Sequence, residues 1–543
     1  MEDKFAVLGK NNIALLDCTL RDGGYINDWQ FGHDTLVNVF ERLVSSRVDY
    51  LEIGFLDQRR PFDIDRTIMP NTESVGKIYA HLDKKNTQVV GMIDYGTCDI
   101  SNIQPREFTF LDGIRVIFKK HIMHEALAFC KEIKDLGYKV FTQAVSITSY
   151  NDDELRELIG LVNEVKPCAL SIVDTYGLLH KDKLFHYYEM MDAHLADGIG
   201  IGYHSHNNFQ LAYSNCIELL NRHGESNRLL LVDGSIFGMG KGAGNAPTEL
   251  LAMYMNEHCG AQYDISQMLE AIDVNILDIF KQTPWGYSMK FFIAASNDCH
   301  PEYVSYLLAK KTVSVKAINA ILKKLTGEVK LLYNKAIIEQ LYVDYQKNTH
   351  NDKEDYESLS GELKGKKLLL IGPGTSINNE LEKINAYISK NNPTIIAINF
   401  IPKFFDVSYL FLTNSKRYVQ QATTINELGN SIKIIATSNV TKSAGSFDYT
   451  LDYETVIDRE AVFIDNSFLM LLKVLLKSGI KSVALAGFDG YSSNRETNYY
   501  LSKMEYDFIK RQGEEINTNV NQVLPVLKKG IELEFITDTL YKY

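Results

Sequence analysis

The chain has 543 residues, 45% hydrophobic and 23% charged, with 57 Lys+Arg against 69 Asp+Glu and a formal net charge of −12. That length exceeds one ordinary core and predicts two or three domains. The acidic balance argues against a general nucleic-acid binder, which needs surplus cations to displace phosphate counterions. No apolar run is long enough for a membrane span, and residues 1–10 mix both charge signs without the apolar centre of a signal peptide. Seven cysteines without a C-x-x-C pair argue against a disulfide framework or a cysteine zinc site, and predict reduced thiols in the cytoplasm. Small anionic substrates remain compatible with this charge if a metal or a few arginines reverse the sign locally.

In chain order, the apolar run Ile13–Leu16 reads as a buried strand that gives way to Asp17, Arg21, Asp22, Gly23 and Gly24. An acid beside an arginine at a buried strand end is costly unless the pair binds something; the alternative is a surface turn with a local ion pair. β-branched runs recur at Tyr50–Phe55, Gln88–Ile93, Gly113–Phe118, Lys139–Ile147, Ala169–Asp174, Ile199–His204 and Leu229–Ile236. Amphipathic patterns such as His124–Leu136 and Asp152–Val162 lie between them. Strands at roughly 25–40 residue spacing, each followed by a helical pattern, predict an α/β chain opening with a TIM (β/α)8 barrel, a doubly wound open sheet being the alternative.

A barrel carries its chemistry at the C-terminal ends of its strands. Asp22, Asp94, Lys119, Thr148, Asp174, His204 and His206 all fall there. In GYHSHNN, a spacing of two on an extended segment puts His204 and His206 on one face, with Asn207 and Asn208 behind them. Adding Asp22 gives a two-histidine, one-carboxylate face with open positions, suited to Mn2+ or Mg2+, with zinc and iron left open. Glu52, Thr148 and Asp174 are read as substrate-binding residues. The stretch GMGKGAGNAPTELL, 238–251, reads as an ordinary glycine-rich loop or as a phosphate cradle without Walker spacing, followed by a helix start.

Three motifs, Asp17-x-Thr19-Leu20-Arg21-Asp22-Gly23, His204-x-His206-Asn207 and Gly242-x-Gly244-Asn245, together resemble the signature of the DRE-TIM metallolyases over roughly residues 10–260. That family includes HMG-CoA lyase, isopropylmalate and homocitrate synthases, and 4-hydroxy-2-oxovalerate aldolase. The resemblance implies that Asp22, His204 and His206 bind the metal, Asn245 lies beside it, and Arg21 stabilises an enolate. The glycine loop lacks the cysteine of the acyl-CoA lyases, and Arg21-Asp22-Gly23-Gly24-Tyr25 departs from the R-D-G-x-Q of the condensing synthases. AGNAP and the helical stretch 263–345 look most like the aldolase, whose helical region sends a tyrosine, here Tyr287, toward the site. In the aldolases a histidine three residues after the metal aspartate takes the C4 hydroxyl proton; here Tyr25 stands there. Ionising an ordinary phenol at neutral pH costs roughly 4 kcal/mol, which leaves His33 on the same loop as the other candidate base.

Residues 346–361 are polar and aperiodic and read as a linker, so the expected domains are 1–262 (barrel), 263–345 (helical extension) and 362–543. The last alternates strands (KKLLLIG, TIIAINF, VSYLFLT, SIKIIAT, VALAGFD) with helices, predicting a Rossmann-like doubly wound α/β domain. IGPGTS, AINF, FLTNSKRY and SGIKSVALAGFDGY resemble bacterial sialyltransferase-like domains. That resemblance implies CMP or another nucleotide sugar at Gly372, Gly374, Ser376, Asn399, Asn414 and Asp489. The leading expectation is a divalent-metal pyruvate aldolase fused to a nucleotide-sugar-binding domain. The alternatives are a Claisen-type acyl-CoA condensing synthase and a catalytically impaired metabolite-binding scaffold. The partners implied are a 2-keto acid and an aldehyde; the oligomeric state, a homo-oligomer included, stays open.

Overall fold

Short β-branched runs with no polar face suit parallel strands, which are covered by helices on one side and by core on the other. The computed structural model describes residues 12–542 other than 225, 311–312, 331–332, 347–349, 441–445, 459–460, 462, 494–496, 502–503 and 505–506. Two units divide the chain, Met1–Pro301 and Glu302–Tyr543.

The strands of the first unit are β1 Ile13–Asp17, β2 Tyr50–Leu56, β3 Ile68–Met69, β4 Gln88–Asp94, β5 Gly113–Phe118, β6 Lys139–Ala144, β7 Ala169–Asp174, β8 Gly200–Ser205 and β9 Leu230–Gly234. They pair in the order β1-β9-β8-β7-β6-β5-β4-β2-β3, and β1 also pairs with β2, Leu16 and Asp17 lying opposite Tyr50 and Leu51. That pairing closes β1, β2 and β4–β9 into a TIM barrel and rules out the open sheet. The helices between strands present one apolar stripe. In Asp152–Val165 the buried residues are Leu155, Leu158, Ile159, Val162 and Val165, and Asn151 with Glu154 forms a capping box. β6 stops at Ala144, short of the Ile147 expected, because Ser146 takes a left-handed φ of 54° and residues 147–149 wind a 3-10 turn. The two-residue β3 is too short to show a period in sequence. In β2, Gly54 has φ 139°, and a Cβ there would lie 2.0 Å from the Thr67 carbonyl oxygen. Only glycine fits this close approach, which accompanies a register shift beside Glu52.

The second unit holds β10 Leu368–Ile371, β11 Thr394–Ile398, β12 Tyr409–Leu412, β13 Lys433–Thr437, β14 Tyr449–Leu451, β15 Ser482–Ala486 and β16 Glu532–Phe535. This parallel sheet has the order β14-β13-β12-β11-β10-β15-β16, so strands add outward from β10 on one side as far as β14 and on the other from β15. Helices Lys353–Leu363 and Ser467–Lys477 share one core with the sheet, and Leu381–Asn391 contributes to a second. The doubly wound architecture is as the sequence predicts, with β14 and β16 added. The division at 301/302 falls inside the stretch read as the helical extension. Within the stretch read as a linker, Lys353–Leu363 is helical because Tyr356, Leu359 and Leu363 recur at helical spacing and are buried.

Glu362 ties that helix to the sheet. Its carboxylate accepts from Lys433 Nζ (2.6 Å) and from the Tyr409 (2.6 Å) and Tyr449 (2.7 Å) hydroxyls. Lys433 first, then the two phenols, hold it down to about 2 from an ordinary 4.5. A carboxyl depressed on folding adds stability above its unfolded pKa and loses it as pH falls through the folded one. Glu362→Gln is therefore expected to lower the thermal midpoint at pH 7 and to flatten its decline between about pH 4.5 and 2. Calorimetry across that range is the check, and an acid limb as steep as the parent's would contradict it.

Candidate active site

The site begins where β1 ends. Asp17 accepts the Thr19 N–H (2.9 Å) and the Thr248 hydroxyl (2.6 Å), joining the first strand end to the helix Thr248–His258, and burial pushes its carboxyl up to about 6. Four residues on, Arg21 and Asp22 are buried and paired at 2.5 Å, and Arg21 Nε donates to Glu52 Oε2 at 2.6 Å. Glu52 also faces Arg115 of β5, Nη1 to Oε1 3.2 Å, and Arg115 is fully buried. Arg115 in turn pairs with Asp233 of β9, which accepts the His204 Nδ1 hydrogen at 3.0 Å. Asp22, Glu52 and Asp233 set three carboxylates against the two guanidiniums of Arg21 and Arg115.

Ligand atoms of Asp22, His204 and His206 lie within 4.8 Å of one another. His204 Nε2 is 4.0 Å from Asp22 Oδ1, and His206 Nδ1 is 3.8 Å from Asp22 Oδ2. His206 Nδ1 and Asn245 Oδ1 are buried without a hydrogen-bond partner, as expected of atoms that face an ion. Burial opposes the charge on Asp22, but Arg21, His206 and His204 overcome it and hold its carboxyl well below the usual range. Burial pushes the His206 imidazole down to about 3, so it is neutral and competent to ligate. The Asp233 bond fixes the His204 tautomer and turns Nε2 toward Asp22. The residues fit a divalent cation.

The glycine loop closes over this cluster. The Asn207 N–H donates to the Gly244 carbonyl (2.8 Å), and Ala243 N–H to Asn208 Oδ1 (2.8 Å). Asn245 Nδ2 donates to Asp22 Oδ2 at 2.8 Å, and the Lys241 N–H to the same oxygen at 3.1 Å. A Cβ on Gly240 would lie 2.3 Å from Asn245 Nδ2 and 2.6 Å from Asp22 Oδ2, so glycine is required there. These loop N–H groups serve protein oxygens, which favours the loop reading over a phosphate cradle.

Of the expected site residues, the structure brings together Arg21, Asp22, Glu52, His204, His206 and Asn245. Tyr25 sits at the rim, 41% exposed, with its ring 4.7 Å from Trp29 and 6.4 Å from Phe55. Removal from water, then the Asp22 charge, pushes its phenol up to about 12, which weighs against a direct base. His33 starts the helix His33–Ser45; its N–H donates to Asp65 (2.8 Å) and its ring lies 6.4 Å from His81, contacts that do not reach the Asp22 cluster. Tyr287 is 65% exposed, two residues beyond Trp285, whose indole N–H donates to the Phe237 carbonyl at 2.9 Å. Thr148 is half-buried in the 3-10 turn after β6. Asp174 spends its carboxylate on the N–H groups of Leu178 (2.8 Å) and Leu179 (3.0 Å), bracing a turn. Arg115, Asp233 and Lys241 were not anticipated. The signal for the first two was present, a charged residue inside an apolar strand run.

In the second unit, Gly374, Asn399, Asn414 and Asp489 line a cavity of about 420 Å3 beside β10 and β15. The first-turn donors expected to meet a phosphate are already engaged. Asp489 accepts the Ser376 N–H (2.8 Å), the Thr375 hydroxyl (3.0 Å) and the Ser376 hydroxyl. Gly372 serves packing, since a Cβ there would lie 2.5 Å from the Gly487 carbonyl oxygen.

Fold and cluster together define a TIM barrel with a buried two-histidine, one-carboxylate cluster that could hold a metal ion. Residues 12–274, just under half of the chain, match the HMGL-like family. Oxaloacetate decarboxylase of Mycobacterium tuberculosis is 24% identical over 290 residues, 51% of this chain and 81% of that protein. A 4-hydroxy-2-oxovalerate aldolase of Thermomicrobium roseum is 28% identical over 275 residues, 49% of this chain and 74% of that protein. Among solved structures, the HMG-CoA lyase of Bacillus subtilis aligns with a TM-score of 0.40 at 15% identity, covering 53% of this chain and 98% of that one.

Asp233→Asn removes the acceptor that orients His204 and is expected to weaken Mn2+ binding about 10- to 100-fold. Titration calorimetry on the full chain measures this, with Asp22→Asn as the more severe control. Parent-like affinity for Asp233→Asn would show that His204 needs no such partner.

Proposed function

We propose that the barrel is a divalent-metal pyruvate aldolase that makes or cleaves a 4-hydroxy-2-oxoacid through a pyruvate enolate. The observation that carries this reading is the Asp22–His204–His206 cluster with the Arg21 guanidinium clamped beside it by Glu52. Asp22, His204 and His206 would hold the ion, with Asn245 beside them. A bound divalent ion supplies Lewis-acid stabilisation of the charge that develops on the keto oxygen. Arg21, fixed between Asp22 and Glu52, adds a permanent positive charge at the same edge without reorganising. Joining the enolate to an aldehyde forms the C3–C4 bond and leaves an alkoxide that takes one proton. Tyr25, protonated at neutral pH, is suited to donate a hydrogen bond to that oxygen. Oxaloacetate decarboxylation with added Mn2+ reads enolate formation directly. Turnover is expected, with Arg21→Met lowering kcat by about 100-fold or more and Asp22→Ala abolishing it. No turnover, with Asp22→Ala indistinguishable from the parent, sinks the reading.

For the second unit the proposal is a nucleotide-sugar cavity, supported by the meeting of four of the six expected residues in one crevice at the switch point of the sheet. Titrating the full chain with CMP and with UDP should show saturable binding of one of them; binding of neither rejects the assignment.

A further inference from the structure

Lys241 is the only residue of the loop segment 240–242 that can vary. A Cβ on Gly240 would strike Asn245 and Asp22, and one on Gly242 (φ 72°) would lie 2.7 Å from Asn208 Oδ1. The Lys241 N–H is fixed on Asp22 Oδ2 at 3.1 Å, so its side chain springs from the edge of the metal cluster. The ammonium lies 5.3 Å above the Tyr25 ring, which packs edge-on against Trp29 and Phe55. Lys241 is half-buried, and Asp22, Asp94, Arg21 and Lys119 are the charges that act on it. Among the described residues, neither Lys241 nor Lys119, at the end of β5, forms a salt bridge of 4 Å or less. Other lysines of the same unit do pair, Lys84 with Asp112 at 2.8 Å and Lys120 with Glu154 at 2.8 Å. An ammonium partly withdrawn from water, with Asp22 and Asp94 acting on it but neither within 4 Å, gains from an anion that joins it directly.

We propose that Lys241, with Lys119 behind it, binds an anionic group on the aldehyde partner, so that this barrel selects aldehydes bearing a carboxylate or phosphate over neutral ones. The inference rests on the enolate reading above and names the substrate class of the same site. The enolate needs no such cation, because Arg21 and the metal ligands already surround the keto-acid end. Lys241 stands over the Tyr25 ring beside Trp29 and Phe55, and that is where the proposal puts the second reactant. The donor Tyr25 and the anchoring ammonium would then hold one aldehyde at two points, its carbonyl oxygen and its charged end.

The test separates the two readings. Exchange of the pyruvate C3 protons in D2O, followed by NMR with Mn2+ present, reports the enolate in the parent protein without any aldehyde. Condensation with pyruvate is then measured for two matched pairs, succinic semialdehyde against propanal and glyceraldehyde 3-phosphate against glyceraldehyde. The expected result is a kcat/KM ratio of tenfold or more in favour of the anionic member of one pair, shrinking as salt is raised. Lys241→Met should bring that ratio to within about twofold, and Lys241→Arg should keep it, a split that general damage to the loop would not produce. The pair with the larger ratio identifies carboxylate or phosphate as the group bound. Exchange without condensation of either anionic aldehyde, a ratio near one, or a ratio unchanged in Lys241→Met overturns this inference alone. Absence of exchange overturns the enolate reading and this inference with it.

Discussion

A line of alternating charges runs through the barrel interior from Arg21 to Glu52, Arg115, Asp233 and His204, and the site depends on it. These side chains come from the turn after β1 and from β2, β5, β8 and β9, so the pairing spans the barrel cross-section. Each charge is buried, and removing one partner of a buried pair leaves the other uncompensated at a cost of about 3–5 kcal/mol. No member can change alone without cost. The rigidity this imposes reaches the chemistry at both ends, fixing the guanidinium of Arg21 and the ring of His204. Geometry of the candidate site and barrel stability are one constraint here, at variance with the usual division of a TIM barrel into a stable base and a variable top.

The second constraint is the seam between the His206 segment and the glycine loop. His206 and Asn245 form a bridge, flanked by the Asn207–Gly244 and Asn208–Ala243 bonds. Asn208 also donates to the Tyr176 carbonyl at 3.0 Å, so the loop is tied to the neighbouring strand end as well. Asn245 Nδ2 reaches Asp22, and the first, seventh and eighth barrel strands thus meet at a single carboxylate. A glycine-rich loop of this kind is ordered by the bonds it makes, its glycines serving close approach more than mobility.

Much of this was legible in the residues. Barrel strands announced themselves because buried parallel strands are uninterrupted β-branched runs, and the candidate ligands because two histidines at i, i+2 stand out at a strand end. What escaped was long-range or local in the wrong way. Asp174 looks like a site residue by position, yet its carboxylate is consumed by Leu178 and Leu179 just beyond it in the chain. Asp489 looks like a ligand contact, and its partners Thr375 and Ser376 lie more than a hundred residues away. The helix Lys353–Leu363 was hidden by its charge, since three apolar residues suffice to bury one face. Lys241 lay in plain view inside a motif, and only the structure shows its ammonium over the Tyr25 ring with no carboxylate within 4 Å among the described residues.

Asp489 carries one more consequence. In an ordinary mononucleotide fold, the turn after the first strand offers bare N–H groups and draws phosphate to that wall. Here a resident carboxylate already sits there, while Arg417 contributes to the lining of the same cavity. The lining of the cavity mixes both charge signs, Asp465 and Asp489 with Lys310 and Arg417, so the glycine turn is occupied by a carboxylate while cations stand elsewhere in the same crevice. An acidic group on a guest is disfavoured at that turn, which the Asp489 carboxylate already fills.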